Sequence, residues 1–205
     1  ASAGQSSCTD ASAGYYVDST ASTQQIMCSA TTFQSYTGQT YCNAGSLGHY
    51  IESPPIADIP CPAGTYLPGV GDSLLSCHDA DAGYYVPTTG QTTQTACLAG
   101  TYNANTGSTS ASDCLDADAG YYVDSTLGAA QTTQTACLAG TYNANTASTT
   151  SSDCLDASAG HYVDSTAGTA QTTQTACIAG TYNANTGSTT SSDCLDADAG
   201  YYVDS

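Results

Sequence analysis

Cys97, Cys137 and Cys177 stand 40 residues apart, and Cys114, Cys154 and Cys194 repeat the same interval. A fixed period of that length means one small supersecondary unit copied in tandem, and such a unit buries its apolar face only by stacking on its neighbours. Aligning residues 97–136 with 137–176 leaves seven differences, among them Gly107/Ala147, Asp118/Ser158 and Tyr121/His161. Each repeat splits at its cysteines into a 17-residue short half, "CLAGTYNANTGSTSASD", and a 23-residue long half, "CLDADAGYYVDSTLGAAQTTQTA", and both halves carry A-G-x-Y. Upstream the alternation persists with looser lengths: Cys8, Cys28, Cys42, Cys61, Cys77 and Cys97 are spaced by 20, 14, 19, 16 and 20. The expected organisation is a divergent segment over 1–42, an irregular segment over 43–76 that holds five of the six prolines, and regular repeats over 77–205.

A chain of 205 residues needs something to hold it, and this one has little to make a core from: 58 Ser and Thr, 20 Gly, no Trp, one Phe and one Met. Ordering each residue costs roughly 1–2 kcal/mol of backbone entropy that small side chains do little to offset. Eleven cysteines supply the alternative, a disulfide framework of the kind found in oxidising extracellular settings. Structural zinc is disfavoured, because its ligands come in close pairs and the nearest cysteines here, Cys28 and Cys42, are 14 apart. A formal charge of −18 without any Lys or Arg disfavours nucleic acid and anionic membranes as partners. No apolar run approaches the ~20 residues of a membrane span. The opening "ASAG" fits a mature end left after removal of a leader.

The segments "YYVDS" and "QTTQTAC" flank turn-prone "TLGAA" and read as a hairpin, and in the short half "GTYNAN" and "STSASDC" read as a second hairpin around Thr106-Gly107. No helical periodicity competes. The expected fold is therefore all-β to irregular: small disulfide-rich hairpins in tandem, stacked into an elongated rod with little or no helix. The recurring tyrosines are assigned to packing over the disulfides.

"CPAGTY" at 61–66, "CLAGTY" at 97–102 and 137–142, and "CIAGTY" at 177–182, each with a cysteine 16 or 17 positions after the first, resemble the cysteine-rich repeats of ephrin-receptor-like and tumour-necrosis-factor-receptor-like modules. They resemble more closely those of ciliate surface immobilisation antigens. The resemblance implies an elongated extracellular array of disulfide-closed units. It favours pairing across the short half: Cys28–Cys42, Cys61–Cys77, Cys97–Cys114, Cys137–Cys154 and Cys177–Cys194, with Cys8 unpaired or intersubunit. Closing the long half instead gives Cys8–Cys28, Cys42–Cys61, Cys77–Cys97, Cys114–Cys137 and Cys154–Cys177, with Cys194 left over. Those families separate units with a close cysteine pair, which this chain lacks, so both ladders stay open.

D-A-D-A-G at 79–83, 116–120 and 196–200 offers paired carboxylates of a kind calcium takes, but further ligands are missing and Ser replaces the second Asp at Ser12 and Ser158. The motif reads as a solvated acidic turn, calcium is the single cofactor left open, and no metal or catalytic residue is assigned. His49, His78 and His161 are scattered. Secreted Ser/Thr tracts are frequent carriers of O-linked sugars, and no N-x-[ST] sequon exists. The candidate sites are Thr106, Ser108, Thr109, Thr146, Ser148, Thr149, Thr150, Thr186, Ser188, Thr189 and Thr190. The expected function is a non-enzymatic, extracellular structural protein that polymerises head to tail into a glycosylated coat or fibril, its partners being itself and its glycans. The alternative is a receptor ectodomain or adhesin using the irregular region for recognition. In the head-to-tail reading, residues 1–7 supply a return strand to 200–205 of another subunit, placing Cys194 and the next Cys8 19 residues apart.

Overall fold

Pairs such as Tyr-Tyr, Thr-Tyr and Thr-Ala form very short strands, and these pair as hairpins. The computed structural model describes residues 7–69 and 77–203. Among these residues are ten two-stranded sheets and five single-turn 3-10 segments, with no longer helix. The strands pair in chain order: Tyr15–Tyr16 with Ile26–Met27, Thr32–Phe33 with Asn43–Ala44, His49–Ile51 with Asp58–Pro60, Thr65–Tyr66 with His78–Asp79, and Tyr84–Tyr85 with Thr95–Ala96. Then follow Thr101–Tyr102 with Leu115–Asp116, Tyr121–Tyr122 with Thr135–Ala136, Thr141–Tyr142 with Leu155–Asp156, His161–Tyr162 with Thr175–Ala176, and Thr181–Tyr182 with Leu195–Asp196. The chain divides into two compact units, 1–95 with 106–111, and 96–105 with 112–205.

Five disulfides close the short halves: Cys28–Cys42, Cys61–Cys77, Cys97–Cys114, Cys137–Cys154 and Cys177–Cys194. Cys8 is free and exposed.

The long-half hairpin forms between the expected segments, Tyr122 facing Thr135. The short-half hairpin does not. Tyr102 pairs with Leu115, beyond the second cysteine, and "STSASD" supplies no strand. Its last residues turn instead, as 3-10 segments at Ala111–Asp113, Ser151–Asp153 and Ser191–Asp193. The reason is local competition. The Asp153 carboxylate accepts the N–H groups of Thr149 (2.8 Å) and Thr150 (3.0 Å), and Asp193 does the same for Thr189 and Thr190, so these donors are spent within the turn and not on a ladder.

This pairing changes the natural frame of the repeat. In unit two each hairpin ends one residue before a small residue whose N–H donates to the A-G-x-Y glycine carbonyl of the hairpin just completed: Ala117 to Gly100, Cys137 to Gly120, Ala157 to Gly140, Cys177 to Gly160 and Ala197 to Gly180, all at 2.8–3.0 Å. Counted from these residues, the layers run 97–116, 117–136, 137–156 and onward with an even step of 20. The 17/23 alternation of the cysteines thus conceals two layers of equal length. Unit one shows the same frame with shorter steps: Cys28 donates to Gly14, Cys61 to Gly48 and Ala80 to Gly64.

A thin core runs through each unit. The small layer-starting residues Cys61, Ala80, Cys97, Ala117, Cys137 and Ala157 are buried, as are the residues that follow the strand tyrosine, Ile51, Leu67, Val86, Asn103, Val123, Asn143 and Val163. The tyrosines themselves are half-buried at most positions, and Tyr182 is exposed. In unit two the residue beside the tyrosine is the one that leaves solvent entirely, Val123 and Val163 in layers without a disulfide and Asn103 and Asn143 in bridged ones.

Candidate functional site

The feature built identically into layer after layer is the contact between them, and the A-G-x-Y glycine is its centre. Gly100, Gly120 and Gly140 all take a left-handed backbone, with φ of 80°, 87° and 82°. A side chain there would also meet main chain from two layers on: an ideal Cβ on Gly100 would lie 2.3 Å from the Ala147 carbonyl oxygen, on Gly120 2.2 Å from that of Ala170, and on Gly140 2.3 Å from that of Gly187. Unit one repeats this with Gly48 against Gly90 at 2.1 Å and Gly64 against Gly107 at 2.5 Å. Only a glycine meets both demands. The turn residue that fills the cradle also binds the layer before its own, Ala147 donating to the Ala117 carbonyl and Gly187 to that of Ala157, each at 2.8 Å. The layers that begin at 97 and 137 therefore each engage the next two. Gly160, Gly180 and Gly200 have the same left-handed backbone, at φ of 78°, 89° and 89°, with no atom within 4 Å of the Cβ position.

Further main-chain bonds join adjacent layers: Gly120 to the Asn143 carbonyl (2.7 Å), Val123 to Ser148 (2.9 Å) and Asn143 to Gln171 (3.0 Å), with Gly160 to Asn183 and Val163 to Ser188 repeating the first two. The first Asn of "NAN" supports them. Asn143 is buried and donates to the Tyr121 carbonyl (3.1 Å) and the Ser148 hydroxyl (2.8 Å), while its Oδ1 accepts from the Asn145 N–H (3.0 Å). A fully bonded buried amide rigidifies its surroundings and is costly to interrupt. Asn183 repeats the set.

Layers without a disulfide are closed by a different device. Gln134 accepts the Asp118 N–H through Oε1 (2.7 Å) and donates to the Asp118 carboxylate (2.7 Å); Gln94 makes the same pair with Asp81. Ser12 with Gln25 and Ser158 with Gln174 keep the backbone bond alone. The second Asp of D-A-D-A-G thus has an assigned partner in the second Gln of "QTTQ", a pairing that spacing alone did not reveal. Gln134 lies 17 residues after Ala117, where Cys114 lies 17 after Cys97, so clasp and disulfide fasten the same end of their layers. No group of three or more His, Cys, Asp or Glu suited to a metal lies among the described residues.

Two carboxylates have lowered pKa values. The Thr166 hydroxyl, then its N–H, stabilises Asp164, and the N–H groups of Thr190 and Thr189 stabilise Asp193. Because the folded values lie below the unfolded one, the support they give is present above the ordinary carboxylate range and is lost as pH falls through the lowered values.

The sugar candidates separate by exposure. Ser108, Ser148 and Ser188 are buried, the latter two bound to Asn143 and Asn183, so these three hydroxyls are not presented for modification. Thr106, Thr109, Thr146 and Thr186 are exposed, and Thr149, Thr150, Thr189 and Thr190 are half-buried. His49 lies 3.4 Å from Asp58, His78 packs at a tilt against Tyr66 with ring centroids 5.9 Å apart, and His161 sits in a tyrosine position of its strand, so the three histidines serve separate layers. Of the irregular 43–76 segment, 45–60 forms an ordinary layer closed by the Asp58 carboxylate on the Ser46 N–H (3.3 Å), and 70–76 fall outside the described residues. Residues 1–6, 204 and 205, on which the expected intersubunit strand depends, also fall outside them. No helix among the described residues is long and apolar enough to cross a membrane.

No protein-family model matches the chain, and a search of curated proteins returns no match.

Proposed function

We propose that this is an extracellular structural protein that assembles head to tail into a glycosylated surface coat or fibril, with no catalytic role. The observation that carries the reading is the repeated cradle: one contact, centred on Gly100, Gly120 and Gly140, serves layer after layer. A surface that recognises another copy of its own layer propagates, because each addition presents the surface that received it. Five disulfides suit an oxidising exterior. Sugars on Thr106, Thr146 and Thr186 would stand on the exposed side of the same turn in three bridged layers and shield a chain with a thin core.

Negative-stain microscopy of the full disulfide-bonded chain tests the assembly. Filaments are expected from the native sequence and only single particles from Gly160→Asn/Gly180→Asn, since Asn tolerates a left-handed backbone and its Cβ would meet no atom within 4 Å. Unchanged filaments from that variant reject the reading. Glycopeptide mass spectrometry should find Thr106, Thr146 and Thr186 modified in native material, and bare peptides remove the glycan part of the proposal.

A further inference from the structure

The bridged layers of the two units differ at the residues just after their cysteines. In unit one these are Ser29 and Asn43, then Pro62 and His78. In unit two all six are aliphatic, and all are exposed: Leu98, Leu138 and Ile178 by 79%, 75% and 75%, and Leu115, Leu155 and Leu195 by 54%, 54% and 55%. The near-identical exposures show one environment presented three times, two aliphatic side chains beside each disulfide. The clasped layers between them carry Asp118 with Thr135 and Ser158 with Thr175 at the equivalent places, so the pattern follows the bridges. The hairpins explain why these side chains stay outside. The residue after the tyrosine strand points into the thin core, whereas Leu115, opposite Tyr102, lies on the solvent side of a two-residue strand that nothing covers.

We infer that the three aliphatic pairs of unit two, Leu98/Leu115, Leu138/Leu155 and Ile178/Leu195, form a side-by-side contact with the same row on a second copy of this chain. Two observations select that occupant. The pairs recur at an even step of two layers, and the same row on a second copy has that step. The six side chains offer roughly 400–500 Å² of aliphatic area, over half of the ~800 Å² that each partner gives to a standard interface, and the neighbouring Thr and backbone can supply the rest. The formal charge of −18 on each copy opposes the approach, so the contact should strengthen as salt screens it. This contact is lateral and does not rest on end-to-end growth.

The test is sedimentation equilibrium of the full disulfide-bonded chain carrying Gly160→Asn/Gly180→Asn, which removes the end contact, with and without Leu98→Ser/Leu138→Ser/Ile178→Ser. The parent is expected to dimerise, and more tightly at 500 mM than at 50 mM salt. The serine variant should dimerise at least about tenfold more weakly at both salts, the step that 1.4 kcal/mol represents. A parent that stays monomeric, or a serine variant that dimerises equally well, overturns the inference. Binding of the monomeric parent to neutral phosphatidylcholine vesicles, lost in the serine variant, would assign the row to lipid and overturn it too. Should the serine variant misfold, hydroxyl-radical footprinting of the parent at low and high concentration decides: protection confined to the six aliphatic residues is expected, and its absence refutes the contact.

Discussion

A bridged layer such as 137–156 and a clasped layer such as 157–176 have the same length, the same kind of hairpin and the same left-handed A-G-x-Y glycine, yet they are fastened by different physics. The first is tied by Cys137–Cys154, with Asn143 buried behind its tyrosine strand; the second relies on Gln174 bound to the Ser158 N–H, with Val163 in the equivalent place. Covalent closure acts on the unfolded chain by removing loop entropy, and the polar residue it accompanies is held by specific bonds. The clasp acts only in the folded state, on an exposed face where a hydrogen bond contributes little. Alternation lets weakly fastened layers be held on either side by strongly fastened ones. It also shows where length is tolerated: the layers 117–136 and 157–176 accommodate single 3-10 turns at Ser125–Leu127 and Ser165–Ala167, next to Asp124 and Asp164 caps, at the tip between their strands.

The sharpest way to break the comparison is to attack what both kinds of layer share. Gly140→Ala places a Cβ 2.3 Å from a main-chain oxygen at positive φ and should cost about 3–5 kcal/mol, whereas Gly180→Ala, with the same backbone and open space, should cost only the ~1–2 kcal/mol of left-handed strain. Urea unfolding of the two variants measures the gap, and equal midpoints would remove the cradle from the account. Next in size is the bridge. Replacing Cys137 and Cys154 together by Ser should cost about 3 kcal/mol, with protection from hydrogen exchange lost first in 137–156. Asn143→Ala leaves the Tyr121 carbonyl, the Asn145 N–H and the Ser148 hydroxyl without their buried partner and should cost about 1–3 kcal/mol. Smallest is the clasp: Gln134→Ala should lower stability by no more than ~1 kcal/mol and raise exchange only at the Asp118 amide and its neighbours. A clasp effect as large as the bridge effect would erase the distinction between the layers.

Much of the fold is readable in the residues, for identifiable reasons. Cys spacing, A-G-x-Y and the Tyr-Val-Thr pairs are local signals, and the hairpins and the single helical turns follow from local preferences. The long-half hairpin was legible because "YYVDS" and "QTTQTAC" both favour strand and the turn lies between them. The short-half hairpin was not, because Asp153 takes the N–H groups that a strand at 149–150 would have used, a competition that β-propensity does not register. The even step of 20 was hidden as well, since Cys137 and Ala157 occupy one structural place with unlike side chains, and only the hydrogen bond each gives to the preceding glycine shows them to be equivalent. For the same reason the Asp118–Gln134 clasp could not be found by spacing, whereas the exposure of Thr106, Thr146 and Thr186 agrees with their place in polar turns. The Ser148 hydroxyl looked the same in sequence and is buried, because its partner Asn143 is set by the layer contact.

The disulfides lying within single layers also determine how such a chain would yield under tension. Pulling on the backbone cannot extend the residues between Cys137 and Cys154 beyond their bridge, so a bridged layer has only a few residues of slack to give. A clasped layer has no such stop and can pay out its full 20 residues, at ~3.3–3.6 Å each about 66–72 Å. Force would therefore be absorbed in alternate layers, with intact bridged layers as knots between the extended stretches, and a force-extension trace under oxidising conditions should show one long step per clasped layer. Adding a reductant should lengthen the total by roughly 50 Å for every bridge opened, turning a chain with built-in limits into one that extends throughout.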